Sequence, residues 1–121
     1  LESALAAMQQ AVPAPGVILF AGDFMAHGFQ AAFKKTAPDT SASALAAFTV
    51  KTMQFLERRL AAAFPDAQIL PAPGNNDSAC GDYMSAPSSP FLRAFAEAWQ
   101  PVVDRGGSTA DFVSTFSAAG H

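Results

Sequence analysis

Charge is scarce in this chain. Asp, Glu, Lys and Arg make up 14% of its 121 residues, against roughly 25% in an ordinary soluble domain, so part of its surface is expected to be covered by a partner or by further segments of the same polypeptide. The net charge of −3 and the lack of any basic run remove the electrostatic footprint that nucleic acid or an anionic membrane surface needs. A single cysteine, Cys80, excludes an internal disulfide and a cysteine-built zinc site. It reads as a small loop residue or as one half of a bridge to another segment. No apolar run approaches the roughly 20 residues of a spanning helix, and nothing has the basic start, apolar stretch and cleavage site of a secretory leader. The opening at Leu1, without Met and inside a helical pattern, reads as a fragment or a processed product.

What is present suits one small domain with a modest core, since half of the residues are hydrophobic. Leu1, Leu5, Met8 and Val12 recur at helical spacing until Pro13-Ala14-Pro15-Gly16 stops the helix. Residues 17–21 form a continuous apolar run of strand length, expected to be buried on both faces. Residues 24–38 read as a loop with one helical turn. Asp39, Thr40 or Ser41 caps the longest helix, with Leu45, Phe48, Thr52, Leu56, Leu60 and Phe64 as its inner stripe and Glu57, Arg58 and Arg59 on the other face or near its end. Pro65-Asp66 breaks it, and residues 67–70 form a second strand.

Strand, helix and strand in that order predict a crossover unit with two parallel strands, both leaving at the same edge. Residues 78–89 read as a long loop. Ser89 then caps, and Pro90 opens, a helix with Phe91, Leu92, Phe95, Trp99 and Val102 inward, ended by Arg105-Gly106-Gly107. Ser108-Thr109-Ala110-Asp111 resembles the start of a short last helix through Phe112, Val113 and Phe116.

The chemistry-bearing residues follow the two strands. Phe20-Ala21-Gly22-Asp23-Phe24-Met25-Ala26-His27 and Leu70-Pro71-Ala72-Pro73-Gly74-Asn75-Asn76-Asp77 share one layout: a strand, a turning glycine, then oxygen and nitrogen donors at the carboxyl end. Asp23 alone could be a helix cap, and Asn75, Asn76 and Asp77 alone could be a polar turn bonding to itself. On adjacent parallel strands they form part of a hard-metal site, with His27 as a proton donor or further ligand.

These blocks resemble those of the calcineurin-like metallophosphoesterases, whose signature runs D-x-H, G-D, G-N-H-D/E, H and G-H-x-H. Gly22-Asp23 matches the second block, and Gly74-Asn75-Asn76-Asp77 the third. The acid-sphingomyelinase-like branch is closer, since its T/A-G-D-x-x-A-H matches residues 21–27 and its A-x-A-W-x-P matches Ala96-Glu97-Ala98-Trp99-Gln100-Pro101. The resemblance implies an α/β fold, part of a metallophosphoesterase sandwich with a parallel strand-helix-strand core and flanking helices. It implies phosphoester hydrolysis with two divalent cations (zinc, manganese or iron) about 4 Å apart. Asp23 would bridge them, Asn75 would bind one, and His27 would protonate the leaving alkoxide. Family members are often exported, which leaves the compartment open.

Two departures qualify what is expected. Asn76 stands where the third block usually has His; it can donate a hydrogen bond but no proton near neutral pH, and the endopolyphosphatase-like relatives resemble this chain in reading G-N-N-D. No D-x-H precedes Asp23, and no G-H-x-H follows Asp77; His121 is the other histidine. Residues 1–121 are thus expected to be a single central fragment of a catalytic domain, inactive and weakly cation-binding by itself. The alternatives are a non-catalytic module that self-associates through an uncovered apolar face, and a polyphosphatase-like hydrolase completed by another segment or subunit.

Overall fold

In a computed structural model of the chain, which describes residues 1–77 and 89–106, the two apolar runs pair as the crossover requires. Strand β1 (Val17–Phe20) lies parallel to β2 (Gln68–Pro71), with Val17 opposite Gln68 and Phe20 opposite Pro71. The ladder extends at both ends through Gln68 N–H to the Gly16 carbonyl (3.0 Å) and Ala72 N–H to the Phe20 carbonyl (2.8 Å). The connection from β1 to β2 carries α2 (Phe29–Thr36) and α3 (Ala42–Ala63), with α1 (Glu2–Ala11) before the sheet and α4 (Pro90–Val103) after it. A 3₁₀ turn, Asp104–Gly106, closes the described part.

Helix ends follow local chemistry. Ser41 Oγ accepts the Ala44 N–H at the start of α3 (3.2 Å), and the Asp39 carboxylate accepts the Ser41 N–H (2.9 Å), so two of the three capping candidates cooperate. Ser89 Oγ accepts the Leu92 N–H (3.2 Å), and Pro90 takes the first helical position of α4, where its missing N–H costs nothing. Helix α1 meets α3 through the buried Leu5, a Glu2–Arg59 ion pair, and a bond from Gln9 Nε2 to the Ala63 carbonyl (2.8 Å). The end of α4 is tied to the α3–β2 junction by Arg105 to the Phe64 carbonyl (2.9 Å) and Gln68 Nε2 to the Val103 carbonyl (3.1 Å).

The core lies between α3, α4 and one face of the sheet. Met53, Leu60, Ile69, Phe95, Trp99 and Val102 are fully buried there, and Ile18 and Phe20 pack against them. Phe24, just past the β1 exit, stacks on Phe20 (4.8 Å between centroids) and meets Trp99 (5.0 Å) and Phe95 (5.7 Å). This ring cluster seats the Asp23 loop against α4. The Trp99 indole Nε1 is buried there without a hydrogen-bond partner among the described residues.

Four expectations need correction. Strand β1 is not buried on both faces: Val17 is 54% and Leu19 77% exposed, because helices cover only the Ile18/Phe20 side of the described two-stranded sheet. Residues 29–36 are a helix rather than loop; Phe29 and Phe33, one turn apart, both meet Phe48 of α3 (5.5 and 5.4 Å), and that contact supports a helix too short to persist alone.

The buried stripe of α3 is Leu45, Thr49, Met53, Glu57 and Leu60, rotated from the expected Phe48, Thr52 and Leu56 because Phe48 faces α2 and is 45% exposed. Glu57 is therefore buried rather than solvated. Burial raises its carboxyl above the ordinary value, against the pull of the Arg58 and Arg105 charges. Residues 78–88 of the expected loop, with Cys80, and His121 and the expected last helix lie outside the described residues.

Candidate functional site

Parallel pairing decides where the two motifs go. With Phe20 opposite Pro71, the chain leaves both strands at one edge, and the turns that follow are forced together. Gly22 has φ +84°, and a Cβ there would fall 2.6 Å from Gly74 Cα and 2.9 Å from the Pro73 carbonyl carbon. From the other side, a Cβ on Gly74 would run into the Asp23 amide and carboxylate. Each glycine is thus required by the other loop's backbone, which no side chain could approach so closely.

Asp23 follows Gly22 in the left-handed region as well, at φ 55°. Aspartate is one of the few residues that accept this conformation. It remains exposed, and its Oδ1 accepts the Asn76 N–H at 3.3 Å. Asn75 and Asn76 are partly exposed in the turn that begins at Gly74, closed by Asp77 N–H to the Gly74 carbonyl (3.3 Å). The structure therefore brings together Asp23, Asn75 and Asn76, the first on one loop and the other two on its neighbour.

Asp77 takes a different place from the other three. It is 1% exposed; Oδ1 accepts the Met25 N–H (2.8 Å) and Oδ2 the Gly74 N–H (2.7 Å), so a single carboxylate binds both loops. Burial pushes this carboxyl above its ordinary value and the Asp23 charge adds to that, while the Gly74, Met25 and Asp23 amides pull it back. The self-bonded turn open to Asn75, Asn76 and Asp77 in the sequence is present in the Gly74–Asp77 bonds, but the bond from Met25 N–H to Asp77 is not foreshadowed there. The available signal is chemical: a carboxylate has two separate acceptor oxygens and no donor, so it can serve backbone N–H groups on two segments at once.

His27 lies in the turn that opens α2, where Phe29 N–H bonds to the Ala26 carbonyl (3.0 Å). It is exposed and makes no hydrogen bond or ion pair among the described residues. A small niche beside Asp77 is walled by Met25, Phe29 and Leu45, with Gln30, Thr49 and Asn76 adding polar groups; neither Asp23 nor His27 lines it.

For a divalent cation, the donor set is partial. Among the described residues there is no group of three or more His, Cys, Asp or Glu placed to hold a metal ion. The exposed Asp23 carboxylate and the partly exposed Asn75 on the facing turn carry the oxygen donors a hard cation takes, whereas Asp77 is buried and accepts two backbone N–H groups. No helix among the described residues is long and apolar enough to cross a membrane. No protein-family model, curated protein or solved structure matches the chain.

Proposed function

We propose that this chain carries the inner part of a binuclear-metal phosphoester hydrolase site, of the sphingomyelinase-like phosphodiesterase kind that its motifs resemble, on part of a metallophosphoesterase sandwich. The observation that carries the reading is the meeting of Gly22-Asp23 with Gly74-Asn75-Asn76 at the carboxyl edge of two parallel strands, the Asp23 carboxylate bonded to the Asn76 amide. That is where an open α/β sheet keeps its ligands. A left-handed aspartate between a positive-φ glycine and a packed Phe24 is held rather than free to swing.

In this reading Asp23 would be the carboxylate shared by two divalent cations, zinc, manganese or iron, and Asn75 would be a ligand to one of them. The remaining ligands come from other segments or from a second subunit. Bound there, the cations would supply Lewis-acid polarisation of the phosphoryl group and would lower the pKa of a bound water enough to make hydroxide available as the nucleophile. The chain's own residues position: Asn76 offers its side-chain amide to a phosphate oxygen, and His27 delivers a proton to the departing alkoxide. With two protein donors, the chain by itself binds such cations weakly and leaves most coordination positions to water.

A Mn²⁺ titration followed by paramagnetic broadening of amide resonances tests this. Broadening centred on Asp23, Asn75 and Asn76, lost in Asp23→Asn, is the expected result. Equal broadening of the wild type and Asp23→Asn overturns it.

A second reading has its own observation. Leu19 and Val17 stand exposed on an edge strand among the described residues, which suits a non-catalytic module that assembles with copies of itself. Such a module would leave the Asp23 edge indifferent to cations.

A further inference from the structure

The Asp77 carboxylate joins two loops whose facing groups are both donors. Met25 N–H and Gly74 N–H point at it from segments 52 and 3 residues away along the chain, and neither has another hydrogen-bond acceptor among the described residues. Without it, these two N–H groups would lose their acceptor at a place where Gly22 and Gly74 already bring the backbones into contact, and the longer Asn76 N–H to Asp23 Oδ1 bond would be left to join the loops. The bond to Gly74 shapes the turn locally, as many aspartates do; the bond to Met25 does something the turn alone does not require.

We propose that Asp77 is the positioning residue of this edge, setting the separation of Asp23 and Asn75 so that the two are in place before any cation binds. The proposal rests on the reading of Asp23 and Asn75 as cation ligands. Asp77 is 1% exposed and each of its carboxylate oxygens accepts a backbone N–H, so it faces the two loops rather than the open edge where Asp23 lies. Keeping a buried carboxylate is costly where neutral packing would do, and a fully hydrogen-bonded one fixes a single geometry in return.

The test compares the wild type with Asp77→Asn, which has the same shape but turns one acceptor into a donor. Helical circular dichroism should be kept, whereas amide exchange at Met25 or Gly74 should accelerate by about tenfold or more. The nuclear Overhauser contact between Asp23 and Gly74 should weaken, and the Mn²⁺ concentration that half-broadens Asp23 should rise about 10- to 100-fold. Unchanged exchange and an unchanged Overhauser contact overturn the proposal, as does loss of stability with the Mn²⁺ response intact.

If Asp77→Asn does not fold, native-state exchange of the wild type decides. Met25 and Gly74 exchanging through one opening, with the same denaturant dependence, supports the clamp, and separate openings refute it. A wild type that shows no Mn²⁺ broadening overturns the cation reading alone; the exchange and Overhauser results still judge Asp77.

Discussion

Gly22 and His27 stand five residues apart and do opposite kinds of work. Gly22 is a packing requirement, so Gly22→Ala should cost about 3 kcal/mol or more, since its Cβ meets backbone on Gly74 and its φ of +84° is strained for alanine. Urea unfolding of the variant would show it. His27 is exposed and makes no hydrogen bond or ion pair among the described residues, so His27→Ala should leave stability unchanged and, on the proposed reading, act on chemistry. In an active full-length polypeptide it should slow hydrolysis of an alkyl phosphodiester by about 10² to 10⁴-fold and spare a nitrophenyl ester, whose leaving group needs little protonation. Equal loss on both substrates would make His27 a ligand instead.

Glu57 gives a pH signature at the same scale. Its carboxyl is raised by burial, so the folded state holds the proton to higher pH than the unfolded chain does. The stabilisation from this group is present below the unfolded value, near 4.5, and is lost as pH rises through the higher folded value. Glu57→Gln should therefore gain stability relative to the wild type as pH climbs out of that window. A difference between the two that stays flat with pH would show that Glu57 ionises equally in both states.

Among elements, α4 was legible in sequence and α2 was not. Ser89 and Pro90 announce the start of α4 locally, and its inward aromatics recur at helical spacing over fourteen residues. Helix α2 has eight residues, and its amphipathic signal reduces to Phe29 and Phe33 among small and polar neighbours. What makes it a helix is Phe48, on another element, which both rings meet. Phe48→Ala should thus loosen α2 selectively, at about 1–3 kcal/mol, and exchange should rise at residues 30–36 while α4 stays protected. The same contact explains the rotated stripe of α3: two neighbours compete for its apolar surface, and periodicity does not say which partner takes which residue.

For the molecule as a whole, the open side of β1 is the decisive feature. Among the described residues, the four residues of β1 have an unpaired edge, and with Leu19 77% exposed they form a surface suited to association. Concentration-dependent scattering is expected, and Leu19→Lys should suppress it by charging the edge without touching the core. Scattering from a monomer at every concentration would show that the face needs no cover.

Sequence by itself determined the elements with strong local signals: two strands of apolar residues, the capped α3 and α4, and the glycines that let each motif turn. Their order implied parallel strands, and parallel strands implied that both motifs leave at one edge. Only tertiary structure decided what is shared between distant segments. It placed Glu57 inside, turned Phe48 toward α2, left Val17 and Leu19 uncovered, and made Asp77 the bond between two loops. The physical reason is range: a cap or a turn is decided by residues within one helical turn, whereas the acceptor for the Met25 N–H lies 52 residues away and is chosen by which backbones meet.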